Sequence, residues 1–252
     1  MSRRIRLLIA ALATVVLAVA GVVVLRHMPA FGAHPLPYGD AINHSAVTER
    51  HVTNMVTAVN FDYRAIDTVG EEFMLIAAVT GTLVLLRGRR GENVSDAPAP
   101  LQGHEFPPRR EALTAVCRLF LAITWVFGWY VVLHPQLTPG GGFQGGAILG
   151  SGTLLVYLGE DYRTWRRLIR SRLLDRVEAA GALILGLSGF AALFTHAPLF
   201  TNVLPLGRTK AMLSGGLILV ENGGVALAVG AGFVLVLLEF LEETRAPKEN
   251  AS

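Results

Sequence analysis

Six apolar runs, most of them near the thickness of a bilayer core, constrain this chain more than any other feature. A helix needs roughly 20 apolar residues to cross the hydrocarbon, and the candidates are residues 7–25, 67–86, 112–133, 143–158, 177–194 and 222–241. The fourth run is short and must lean on its neighbours or on local thinning of the bilayer. Hydrophobic residues make up 52 % of the 252 and charged residues only 16 %, and a mean hydropathy of +0.48 excludes an ordinary soluble domain. The expected fold class is an all-α integral membrane protein with about six transmembrane helices.

The basic residues then set an orientation. With the N-terminus in the cytoplasm, the inner side carries Arg3, Arg4, Arg6, Arg87, Arg89, Arg90, Arg109, Arg110, six arginines between Arg163 and Arg176, Arg245 and Lys248, sixteen in all. The outer side carries five: Arg26, Arg50, Arg64, Arg208 and Lys210. Arg118 falls inside the third run, from which it can snorkel to the interface. This asymmetry follows the positive-inside rule and places both termini in the cytoplasm. The pI near 9.3 therefore reflects topology, with lipid and no nucleic acid as partner. Ala18-Val19-Ala20 resembles a signal-peptidase site, and Arg3-Arg4 faintly resembles a twin-arginine signal. The first apolar run outlasts a usual signal core, so a retained helix is expected.

Residues 88–111 are rich in proline and arginine and read as a cytoplasmic linker without a packed core. They separate a two-helix segment, 1–87, from a four-helix segment, 112–243, which is followed by a tail, 244–252. In the first outer loop Val52, Met55, Val56 and Val59 form a helical apolar stripe. The second outer loop, about 195–221, carries Pro198, Pro205 and Gly207 and should be irregular. The stretch from Arg163 to Arg176 suits an interfacial helix or loop near anionic headgroups.

Two acidic constellations stand out. Asp62-Tyr63-Arg64-Ala65-Ile66-Asp67-Thr68-Val69-Gly70-Glu71-Glu72 leads into an apolar run. In a helix from about Asp67, Asp67 and Glu71 share a face and Arg64 lies one turn back. Carboxylates at a membrane boundary serve ion or proton handling or helix pairing, or they simply complement the helix dipole. The second is Glu221-Asn222, where Asn222 as an N-cap beside the positive helix end is the simpler reading. Glu178, in the first turn of the fifth run, has the same plain reading. Cys117, the single cysteine, excludes an intramolecular disulfide and reads as inert.

Gly140-Gly141-Gly142-Phe143-Gln144-Gly145-Gly146 follows Pro139, and Gly142, Gly146 and Gly150 are four apart. That is a small-xxx-small ridge of the kind that brings helix backbones together in lipid, and Gly224, Ala228 and Gly232 form another. Gly140, Gly142 and Gly145 also match G-x-G-x-x-G, but no strand–turn–helix unit surrounds them, so no dinucleotide or other cofactor is expected. Six histidines, His27, His34, His44, His51, His134 and His196, would face outward and His104 inward, with no metal-ligand spacing. No nucleophile–base pair is present, so a hydrolytic enzyme is not expected.

The segment from Leu133 through Pro139-Gly140-Gly141-Gly142-Phe143-Gln144-Gly145-Gly146 resembles the hallmark of the B-type component of Mrp-type (Mnh) multisubunit cation/proton antiporters, over about residues 112–243. Residues Asp62 to Glu71 resemble a D-F-R-G-F-D-T-x-G-E pattern in the C-terminal portion of the A-type component, with Tyr63, Ala65 and Ile66 as departures. The resemblance implies a fused polypeptide, joined at the linker, within a bacterial inner-membrane complex exchanging Na⁺ or another monovalent cation for H⁺. Components of the A, C, D, E, F and G types would be its partners. The resemblance makes Asp67 and Glu71 the preferred ion or proton groups. Arg64 would be a counter-charge, and Glu72 and Glu221 are further candidates. The glycine ridges would join helices of neighbouring subunits, with Gly140 to Gly146 shaping a re-entrant turn. The alternatives are an assembly scaffold, and a module of a membrane-bound hydrogenase or respiratory-type complex.

Overall fold

A computed structural model describes residues 3–28, 37–87, 111–160 and 162–243, and every element among them is helical. The linker read from the sequence, apart from Glu111, and the tail, together with His34 and His104, lie outside the described residues. The chain divides into a unit ending at Ala41 and a second beginning at Ile42. In the first unit, α1 (Arg3–Arg26) is apolar from Leu7 to Leu25 and exposed at its described side chains.

The second unit opens with most of α2 (Pro37–Arg50), then α3 (Met55–Ala58), a π-helical turn (Val59–Tyr63) and α4 (Ala65–Arg87). It continues through α5 (Glu111–Leu133), α6 (Gly142–Gly159), α7 (Tyr162–Leu168), α8 (Ser171–Ala191) and α9 (Leu217–Glu243). Among the described residues, five helical stretches are long and apolar enough to cross a membrane: Leu7–Arg26, Ala65–Leu86, Glu111–Leu133, Ser171–Thr195 and Leu217–Glu242. The fourth apolar run of the sequence forms α6, whose 18 residues are diluted by six buried glycines. It is held between α5 and α9.

α9 is the central helix, packed by α4, α6 and α8 and touched by α5. The close approaches are made by glycine. A Cβ on Gly146 would lie 2.7 Å from the Ala226 carbonyl and 3.0 Å from the Gly230 nitrogen, and one on Gly150 would lie 3.1 Å from the Gly230 carbonyl. On the other side of α6, Gly145 meets Val132 and Gly152 meets Trp125, both on α5. Gly181 of α8 and Gly224 of α9 also meet backbone to backbone. The family resemblance assigns the ridges to neighbouring subunits. Those of α6 and α9 instead face helices of the same chain, because close-packing partners lie within its own hairpins.

Gly140 and Gly141 both have φ of +146°, a region essentially reserved for glycine, and this lets the chain enter α6 directly from the preceding loop. That loop is tied down from a distant part of the chain. The Gln136 carbonyl accepts from the Thr53 amide (2.9 Å), the Asn54 side chain donates to the Pro135 and Thr138 carbonyls (2.9 and 3.0 Å), and Gln136 Nε2 donates to the Met212 carbonyl (2.7 Å). One apolar cluster joins Ile42, Ala46, Val52, Ala58 and Phe61 to Leu185, Ile218, Val225 and Val229. The two parts that the sequence separates at 88–111 thus share a core.

Of the expected outer-loop stripe, Val52 is buried and Met55 and Val59 pack on this cluster, whereas Val56 is exposed. The four residues do not share one helix: Val52 precedes α3, Met55 and Val56 lie in it, and Val59 opens the π-helical turn. α2 leaves no clear signature in the sequence pattern, since only Ile42 and Ala46 of its residues are buried.

Gly146→Ala should destabilise the bundle by about 1–3 kcal/mol, because the added methyl meets main chain that cannot move aside. Gly223→Ala, on α9 with nothing within 4 Å of its Cβ position, should be neutral or slightly stabilising. Thermal unfolding of the purified variants in one detergent compares the two.

Candidate functional site

The buried stripe of α4 runs through Ala65, Thr68, Glu72, Val79 and Leu83. Glu72 falls in this helical register and is carried into the interior, where it is 2 % exposed. Neither of its carboxyl oxygens has a hydrogen-bond partner among the described residues. On α8 the stripe is Glu178, Gly181, Leu185 and Ser188, and Glu178 is 9 % exposed, with Oε1 unpartnered. Gly232 of α9 opens the space it occupies: a Cβ there would lie 3.1 Å from Glu178 Oε1 and 3.0 Å from the Val79 side chain. Glu178 is the charged group that acts on Glu72, and Asp175 acts on Glu178.

On α9 two acids are buried, Glu239 toward its end and Glu221, which is fully buried near its start. Ser188 Oγ lies 3.0 Å from Glu221 Oε1 and 2.7 Å from the Leu185 carbonyl. A hydroxyl has one proton to give. Ser188 can therefore donate to the Glu221 carboxylate, or donate to Leu185 while a protonated Glu221 donates to it. Both charge states of Glu221 have a partner in this geometry.

Two sequence readings are corrected here. Asn222 is not the N-cap of its own helix, because α9 begins five residues earlier at Leu217. Its Nδ2 donates to the Ile218 carbonyl (2.8 Å), and its Oδ1 accepts from the Gly142 amide (2.8 Å). Asn222 thus caps α6 across the bundle, where Gly141 has no side chain to do so. Glu178, likewise, is not in a first turn. α8 starts at Ser171, which puts Glu178 about 10 Å along the helix.

At the N-terminal end of α4, Asp62 is held in a polar cluster. Arg50 Nε lies 2.6 Å from Asp62 Oδ1, and Asn202 Nδ2 donates to Oδ2 at 3.3 Å. Arg50 also lies over the Tyr63 ring, and the Tyr63 hydroxyl donates to Glu49 (2.6 Å). Burial pushes the Asp62 carboxyl above its ordinary range, and the Arg50 guanidinium only partly opposes this. Asp62 is also the charge that acts on Glu221. Acidic groups therefore neighbour one another as Asp62 with Glu221, Glu72 with Glu178, and Glu178 with Asp175.

The residues favoured by the resemblance take a different place. Asp67 and Glu71 do share a face of α4, but it is an exposed one, and Asp67 pairs there with Arg64. Glu72 is one residue, about 100°, further round and is the member of the run that turns inward. Arg118 is exposed and pairs with Glu160 at 2.7 Å. His134 stacks on Tyr130, and His51 Nδ1 lies 2.6 Å from the Gly207 carbonyl. Glu178 is absent from the spacing argument, although its i, i+3, i+7, i+10 register with Gly181, Leu185 and Ser188 carries the signal.

These features define a class: a polytopic α-helical membrane protein whose interior holds carboxyl groups without basic partners among the described residues. A family model described as a domain related to the MnhB subunit of Na⁺/H⁺ antiporters matches residues 112–235. An uncharacterised protein of Methanocaldococcus jannaschii is 30 % identical over 210 residues, covering 76 % of this chain and 78 % of that one. The B-type component of a Bacillus subtilis Na⁺/H⁺ antiporter is 34 % identical over 104 residues, 39 % of this chain and 72 % of that one. A probable K⁺/H⁺ antiporter component of the combined A/B type, from Rhizobium meliloti, is 26 % identical over 79 % of this chain, which spans only 22 % of that longer protein. The chain belongs to the MnhB-related family of antiporter domains.

Among solved structures, the fold matches the Mrp complex of a Dietzia species with a TM-score of 0.68 and 24 % identity, over 100 % of this chain and 27 % of that one. It also matches a membrane-bound sulfane sulfur reductase, an archaeal respiratory membrane complex, with a TM-score of 0.67 and 26 % identity, over 94 % of this chain and 98 % of that one.

Asn222→Ala removes the acceptor for the Gly142 amide inside the bundle and should cost about 1–3 kcal/mol, the penalty of a buried unsatisfied donor. Thermal unfolding in detergent measures it.

Proposed function

We propose that this chain is a membrane component of a multisubunit monovalent-cation/proton antiporter, and that Glu221, Glu72 and Glu178 carry its protons or cations. The observation behind this reading is that Glu72, Glu178 and Glu221, three of the four buried glutamates among the described residues, lie within membrane-spanning helices with no basic side chain among the described residues bonded to them. A lone carboxylate in such a place is costly and is kept where charge must move. Taking up a proton or a cation neutralises it, and this exchange is what an antiporter performs. The family membership and the antiporter components among the relatives support the same reading.

In this reading the chain is a transporter component rather than an enzyme, and its partners are the components of the A, C, D, E, F and G types. It lies in a bacterial inner membrane with both termini cytoplasmic, in keeping with its basic residues. Asp67 and Glu71 sit on an exposed face and belong to the surface rather than to the path. A second reading, a module of a respiratory-type membrane complex, is favoured by the match that covers nearly all of the sulfane sulfur reductase chain.

The test follows Na⁺- and K⁺-induced collapse of a proton gradient in inverted vesicles holding the whole complex, with co-purification of the components alongside. Glu72→Gln, Glu178→Gln and Glu221→Gln should each lower exchange by about tenfold or more in an assembled complex. Asp67→Asn and Glu71→Gln should stay within about twofold of wild type. Unaltered exchange in all three buried variants would leave the chain a scaffold.

A further inference from the structure

The junction between the π-helical turn and α4 holds a carbonyl and a hydroxyl in contact, one helical turn ahead of Glu72. The turn closes with the Arg64 amide donating to the Val59 carbonyl (2.8 Å), and Arg64 then leaves helical geometry at φ −138° and ψ 39°. Within this break the Asn60 carbonyl accepts from Thr68 Oγ1 at 2.7 Å. Thr68 is 1 % exposed. With its proton on Asn60, the Thr68 oxygen has only lone pairs to offer in other directions.

Glu72 follows Thr68 by four residues, on the same face of α4. Side chains on an α-helix lean toward its N-terminus, which brings the Glu72 carboxyl over the turn that carries Thr68. That carboxyl is buried, both its oxygens lack a hydrogen-bond partner, and the charge that acts on it is another acid, Glu178. Nothing basic among the described residues balances it. The donors gathered here are a carboxylate, a hydroxyl and a carbonyl that can share its second lone pair. This is a hard-oxygen set with a single negative charge, suited to an alkali cation. Helix breaks inside membranes supply cation ligands in the same way, through carbonyls released from the regular hydrogen-bond ladder.

We propose that Glu72, Thr68 and the Asn60 carbonyl form a binding site for a dehydrated monovalent alkali cation, at which the cation and a proton compete for the Glu72 carboxylate. The site rests on the antiporter reading and gives it a location. Thr68 acts here as a ligand, so removing its hydroxyl should weaken cation binding without removing the charge that drives exchange.

The experiment measures gradient collapse against Na⁺ and K⁺ concentration in vesicles holding the whole complex. Thr68→Val, which deletes the hydroxyl at nearly constant volume, should raise the apparent KM for the preferred cation about tenfold, with the maximal rate within about twofold of wild type. Thr68→Ser should restore the wild-type KM. Wild-type KM and Na⁺/K⁺ preference in an assembled Thr68→Val complex would overturn the site. If Thr68→Val lowers the yield of complex, Glu72→Asp serves instead, since it keeps the charge and withdraws it by one methylene. A changed KM or cation preference then supports the site, and unchanged values overturn it. A wild-type complex that responds to neither cation overturns the antiporter reading itself, a result distinct from loss of the site alone.

Discussion

The contact of main chain with main chain between α6 and α9 is the constraint on which the rest of the bundle depends. It exists because Gly142, Gly146 and Gly150 present no side chain to α9. Without a hydrophobic drive between helices in lipid, association rests on van der Waals fit and on hydrogen bonds made across the interface. α6 is short and rich in glycine, a poor composition for an isolated helix, and it gains from this contact both packing and a cap. The cap comes from Asn222, next in sequence to Glu221, so the residue that fixes α6 also fixes the turn of α9 that holds a buried acid.

From that arrangement the interior acquires its chemistry. α9 offers glycine to α4 and α8 as well, and the space beside Gly232 is filled by the carboxyl of Glu178. Bringing acids inside a membrane bundle is unfavourable unless each can be neutralised. Ser188 gives Oε1 of Glu221 a partner in either charge state, while Glu72, Glu178 and Oε2 of Glu221 retain oxygens with no hydrogen-bond partner among the described residues. The Arg50–Asp62 pair, by contrast, is a conventional ion pair near the end of the bundle, braced by Asn202.

Much of this architecture can be read from sequence, because apolar length and glycine spacing are local properties. Five of the six apolar runs become helices of spanning length and composition, and the sixth is α6. What local spacing does not give is which way a helix turns its faces. Asp67, Glu71 and Glu72 lie within six residues, and only the way α4 packs in the bundle decides that Glu72 goes inward. The starts of α8 and α9 lie ahead of the apolar runs for a related reason. Polar residues such as Asp175 and Glu221 look like helix boundaries, yet here both lie inside helices. Asn222 reads as an N-cap because it can be one, and the helix it caps begins 80 residues away.

That separation has a consequence for how the chain is made. Gly142 leaves the ribosome 80 residues before the side chain that will hold its amide, an interval of roughly 4 to 16 seconds at ordinary rates of synthesis. Throughout it α6 has α5 beside it but neither its cap nor its second packing face. It enters the bilayer as an incomplete element and is finished only when α9 arrives. The last of the described helices to be synthesised is thus the one that closes the bundle, and any truncation that removes it leaves α6 without the two contacts that define it.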